Sequence, residues 1–139
     1  MNIGYVLDDV TINEFGRGNT VVTQLIANLD ARAIRMSIPA VTLAVAQHDL
    51  GDAQIDAVHG TIKFVEHVRL EAVSTLDETQ RISEVYAYLA DQPDPAAAHV
   101  VAVSRHLGFP VLTTNRKRWD PVLAQLPWTV EVFEISDTD

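Results

Sequence analysis

Along the whole chain, short apolar runs alternate with longer stretches in which apolar residues recur at helical spacing. The short runs are residues 3–8 (IGYVLD), 34–38 (IRMSI), 68–73 (VRLEAV), 110–113 (PVLT) and 129–135 (TVEVFEI). Between them fall Val21, Val22, Leu25, Ile26 and Leu29, then Ile55, Val58, Ile62 and Val65, then Ile82, Val85, Tyr86 and Leu89, then Val100, Val103 and Leu107. Runs of that length read as buried strands, and the 3.6-residue spacing reads as helices packed by one face. Strand–helix alternation predicts a parallel sheet covered by helices on both faces, with right-handed crossovers. The expected architecture is a three-layer α/β/α fold with a single parallel sheet of about five strands. No repeat, linker or low-complexity segment interrupts residues 1–139, so one domain is expected.

The punctuation supports these boundaries. Gly16 and Gly18 stop the helix after the first strand, and Asn19 is placed to cap the next one. Pro39 is expected to open a helix, where its missing N–H costs nothing. That helix, AVTLAVAQHDL, is apolar almost all round and is expected to be well buried. Gly51 breaks the chain, and Asp52 can cap the next helix. Thr75 and Glu78 have the spacing of a capping box. Asp91 to Pro95, Gly108, Pro110 and Pro127 mark further ends. His99 and His106 lie seven apart on one helix and are expected at the surface.

Composition narrows the function classes. There is no cysteine, so disulfides and thiolate metal sites are excluded. No apolar run is long enough to span a bilayer, and MNIGYVLDD lacks the features of a signal peptide. A cytoplasmic location is the expectation. The formal charge is −9, from 19 acids and 10 bases, so the chain repels nucleic acid as a whole. Any such binding has to use a local patch, and the one dense basic run is Arg116, Lys117 and Arg118, beside Trp119.

The chemistry is expected at strand tips, because ligands bind at the carboxyl ends of parallel strands. Two tips stand out. The first strand runs into Asp8 and Asp9, and the fourth runs into Thr114 and Asn115. Paired carboxylates suit a hard divalent ion such as Mg²⁺. The alternative for Asp8 or Asp9 is a purely structural one, capping the adjoining helix. No Gly-rich phosphate loop, nucleophile elbow or HExxH spacing is present.

Four stretches, YVLDD, IPAVTLAVAQ, AAAHVVAVSRHLGFPVLTTN and NRKRWDPV, together resemble the PIN domain, the nuclease fold of many toxin–antitoxin ribonucleases. Receiver domains share the element order, but here the third strand ends in Ala72, Val73 and Ser74 without the phospho-accepting aspartate. The PIN resemblance covers nearly the whole chain. It implies Asp8 as the first metal-binding acid and Asn115 as the fourth polar position, with Asp9 as a second metal candidate. The family's glutamate falls at Val45 and its helix aspartate at Ala97. Val10 stands where Ser, Thr or Asn is usual. One aspartate and one amide supply little charge for Mg²⁺.

The resemblance therefore implies a PIN-like domain that has lost metal-dependent ribonuclease activity and serves as a regulatory module binding protein or nucleic acid, without cofactor. Family habit further implies a homodimer and a small basic or antitoxin-like partner, with RNA as a further ligand and no membrane. The alternative is an active Mg²⁺- or Mn²⁺-dependent endoribonuclease with a rearranged acid set: Asp8, Asp9, Asn115, and Asp94 or Asp120.

Overall fold

A computed structural model describes residues 3–135. In chain order the elements are β1 (Gly4–Leu7), α1 (Asp9–Gly16), α2 (Thr20–Ala31), β2 (Arg35–Pro39), α3 (Ala40–Gln47), α4 (Asp52–Phe64), β3 (Val68–Glu71), α5 (Leu76–Tyr86), α6 (Pro95–Leu107), β4 (Val111–Thr113), α7 (Asp120–Gln125) and β5 (Val132–Glu134). Short 3₁₀ turns cover Ala87–Leu89 and Arg116–Trp119. No helix among the described residues is long and apolar enough to cross a membrane.

All strands are parallel, in the order β3-β2-β1-β4-β5. β1 is central, with Val6 opposite Ser37 on one side and Val111 on the other. The chain moves outward from β1 through β2 to β3, then returns to place β4 on β1's other edge. That reversal makes a switch point between β1 and β4, where the loops diverge and leave a crevice. The alternation of sequence patterns anticipated this three-layer arrangement of helices, sheet and helices.

Each face of the sheet has its own core. Leu7, Met36, Ile38 and Leu112 pack under α1–α4 with Ile12, Val22, Ile26, Leu43 and Val58. Val6, Val111 and Val132 face the other way, toward α5–α7, with Val85, Val100, Val101, Trp119 and Val122. Adjacent residues Val6 and Leu7 thus serve opposite cores, as the two-residue strand period requires.

Most caps follow the sequence. Asn19 accepts from the Val22 N–H at 3.1 Å, and Thr75 from the Glu78 N–H at 3.2 Å. Several expectations need correction. Pro39 ends β2 and precedes the first turn of α3 without lying inside it, and Gly51, not Asp52, takes the cap position of α4. α3 is not buried all round: Val45 is 40% exposed, because only the Thr42, Leu43 and Ala46 stripe meets the core. Tyr86 is 39% exposed at the end of α5. The last strand is confined to Val132–Glu134, and the acidic tail, residues 136–139, lies outside the described residues.

His99 departs furthest from expectation. It is buried, and its Nδ1 accepts from the Val41 N–H at 3.2 Å. Val41 lies in the first turn of α3, whose cap residue Pro39 offers no side-chain acceptor. The imidazole of α6 therefore does for α3 what a serine or aspartate does for most helices.

Candidate functional site

The switch-point crevice carries the tips of β1 and β4. Asp8 follows Leu7 directly and adopts extended backbone, the conformation that lets a side chain fold back over a helix N-terminus. Its Oδ1 accepts from the Thr11 N–H at 2.9 Å, which starts α1. Its Oδ2 accepts from Nε1 of Trp119 at 2.8 Å. The hydroxyls of Thr113 and Thr11 lie against the same carboxylate. Asp8 and Trp119 are each 0% exposed. Burial pushes the Asp8 carboxyl above the ordinary aspartate range, and the hydrogen bonds from Thr113, Thr11 and Trp119 offset only part of that.

The β4 tip is tied up in its own turn. Asn115 accepts from the Lys117 N–H through Oδ1 at 3.2 Å, capping the 3₁₀ turn that carries Arg118 and Trp119. Thr113 Oγ1 accepts from the Asn115 N–H at 3.1 Å. This polar wrapping turns the chain sharply after β4 and lays Trp119 over Asp8.

The residue next to Asp8 meets the residue next to Trp119. Arg118 donates from Nε to Asp9 Oδ1 at 2.9 Å and from Nη2 to Asp9 Oδ2 at 3.3 Å. It also donates from Nη1 to Asp94 Oδ2 at 2.6 Å and from Nη2 to Asp94 Oδ1 at 3.0 Å. Asp94 at the same time caps α6 by accepting from the Ala97 N–H at 3.0 Å. Burial opposes charge on both groups. The pairing wins: Arg118 holds the Asp94 carboxyl below the usual carboxylate range, and the Asp94 and Asp9 carboxylates push the guanidinium's pKa further up.

The remaining candidates separate. Ala97 is fully buried within α6, while Val45 is exposed on α3. Asp120 begins α7 as an exposed residue. Both arginines of the basic run bond to other parts of the chain. Arg116 donates from its backbone to Glu134 at 2.9 Å and from its guanidinium to the Val132 carbonyl, which holds β5. Arg118 is on its two acids, and Trp119 is in the core, so the ring beside the basic run is not free to stack on a base. Lys117 alone projects without a side-chain partner among the described residues.

A divalent ion of the kind the PIN resemblance implies does not fit this set. Both Asp8 oxygens face N–H donors, which are the wrong polarity toward a cation. All four oxygens of Asp9 and Asp94 accept from one guanidinium. Among the described residues, no three or more His, Cys, Asp or Glu side chains are arranged to hold a metal ion.

Sequence reasoning named Asp8, Asp9, Asp94 and Arg118 individually but missed their pairing. Arg118 and Asp9 are 109 residues apart. The one local signal is that a basic run follows one strand tip while an acidic pair follows the other. Apart from the tip, a small recess of about 40 Å³ lies between β3, α5 and α6, with Glu71, Glu78, Arg81, His99 and His106 on its walls. It shares no lining residue with the crevice.

No protein-family model matches the sequence, and no curated protein matches it. Solved structures do. The chain is similar to VapBC2 from Rickettsia felis bound to a DNA fragment from their promoter, with a TM-score of 0.64 and 11% identity over 96% of this chain and 100% of that one. It is also similar to DNA-bound VapBC from Salmonella typhimurium, with a TM-score of 0.62 and 14% identity over 98% of this chain and 100% of that one. At such identity the likeness establishes the fold, which is PIN-like.

Proposed function

We propose that this PIN-like chain is a binding module of toxin–antitoxin type that runs no metal-dependent RNA cleavage. The observation that carries this is the state of Asp8. The one acid that matches the family's metal set is buried beneath Trp119, with both oxygens bound to N–H donors. Val45 and Ala97 put no charge where two further acids are implied. A carboxyl so placed is a cap and a hydrogen-bond acceptor, roles that need no ion.

Two supports point to a protein partner. The similar solved structures are VapBC complexes, and the chain's −9 charge favours a basic surface opposite it. A small antitoxin-like protein fits both. Homodimerisation belongs to the same reading, through the family habit alone. Nucleic acid reaches this chain best through such a basic partner, since Arg116 and Arg118 are engaged internally.

The second reading, an active endoribonuclease with rearranged acids, has one observation in its favour. Asp9 and Asp94 do converge at the tip beside Asp8. An RNA-cleavage assay in Mg²⁺ and in Mn²⁺ separates the two. Wild type is expected to leave the RNA intact. Metal-dependent cleavage that disappears in Asp8→Asn overturns the binding-module reading.

A further inference from the structure

Arg118 joins elements that the chain keeps far apart. Asp9 begins α1, Asp94 caps α6, and Arg118 sits in the 3₁₀ turn after β4. Its side chain is 15% exposed, and those of Asp9 and Asp94 are 17% and 26% exposed. The planar fork reaches all four carboxylate oxygens at once. Lysine has no such fork, and its point charge could not bridge both groups in this way. The guanidinium also lies 5.1 Å from the centre of the Trp119 ring, so the same residue steadies the lid over Asp8.

A divalent ion at a strand tip does one structural job besides chemistry: it gathers carboxylates from different elements onto one positive centre. We propose that Arg118 does that job here, as a resident cation built into the chain, so that the tip stays assembled with no metal at all. The inference rests on the reading that the tip runs no metal chemistry, and goes beyond it by naming what holds the tip instead. It explains why Asp9 and Asp94 tolerate partial burial side by side, since each has the same counter-ion. It also assigns the basic run a purpose other than nucleic-acid contact.

The test removes the internal cation and offers an external one. Arg118→Met keeps the length of the side chain and deletes the charge. Wild type is expected to show no Mn²⁺ binding by calorimetry at millimolar metal, and no change in melting midpoint with Mn²⁺ or with chelator. Arg118→Met is expected to melt lower and to bind Mn²⁺ at least about tenfold more tightly than wild type. Adding Asp94→Asn, which keeps the helix cap, is expected to abolish that gain. A folded Arg118→Met that ignores Mn²⁺ overturns the proposal, as does a wild type whose midpoint rises with Mn²⁺. If Arg118→Met is unfolded without metal, refolding in Mn²⁺ is the readout: recovery supports the proposal, and no recovery overturns it.

Discussion

Replacing Asp8 by alanine removes two things at once: the cap of α1 and the acceptor of a buried indole N–H. A lost cap costs about 0.5–2 kcal/mol. An orphaned buried donor costs about 1–3 kcal/mol. Asp8→Ala is therefore expected to lower the unfolding free energy by about 1.5–5 kcal/mol in urea titration. A change of less than about 0.5 kcal/mol would deny Asp8 its structural role. The pH dependence has a definite sign. The folded pKa of Asp8 is raised, so the protonated acid favours the fold, and this contribution is lost as pH rises through the folded value. Relative to Asp8→Asn, which does not titrate, wild type is expected to lose stability as pH climbs from acid values. The sequence marked Asp8 as the notable acid of the first strand. It did not show which neighbours would answer it, because Trp119 arrives from the far end of the chain.

Elements with strong periodicity were legible, and those set by tertiary contacts were not. α2, α5 and α6 fall where their apolar spacing puts them, with Asn19, Thr75 and Asp94 as caps. β3 and β5 came out shorter than their alternating runs, since each has a neighbour on one edge only. His99 escaped because nothing in its local sequence says that α3 lacks a cap. That contact has a consequence for α3. Nδ1 can accept from the Val41 N–H only while unprotonated. Burial lowers the His99 pKa, and the Glu71 and Glu78 charges only partly oppose it. The stabilisation is thus fully present above the ordinary histidine value near 6.5 and is lost as pH falls below it through the lowered folded value. Glu71, Glu78, Arg81 and His106 share the recess with His99, so a substitution is needed to isolate its part. His99→Gln keeps an acceptor without the titration. Its melting midpoint is expected to fall less than that of wild type between about pH 7 and pH 5. Equal slopes would mean that the cap does not titrate.

At the scale of the molecule, charge decides what kind of surface the chain can meet. With −9 overall and both arginines of the basic run engaged within the molecule, the chain's charge balance is acidic and its densest basic run offers only Lys117. A basic peptide such as oligolysine is expected to bind more tightly than single-stranded RNA of similar length, and to weaken as salt is raised. Fluorescence anisotropy of the two labelled probes compares them directly. Tighter binding of RNA would contradict the preference for a protein partner. The overall sign of the charge was readable from composition. That Arg118 turns onto two carboxylates was not, because a run of cations reads alike whether solvent or carboxylates receive it.

The strand order also sets a timetable. β1 is the first strand made and the central one, yet its β4 edge has no partner until residue 111 emerges. Asp8 and Asp9 wait as long for Trp119 and Arg118. A nascent chain of a hundred residues therefore carries an open strand edge and unanswered acids, and loop closure over that span is slow. The centre of the molecule is thus completed late, when the turn after β4 brings Trp119 to Asp8 and Arg118 to Asp9 and Asp94.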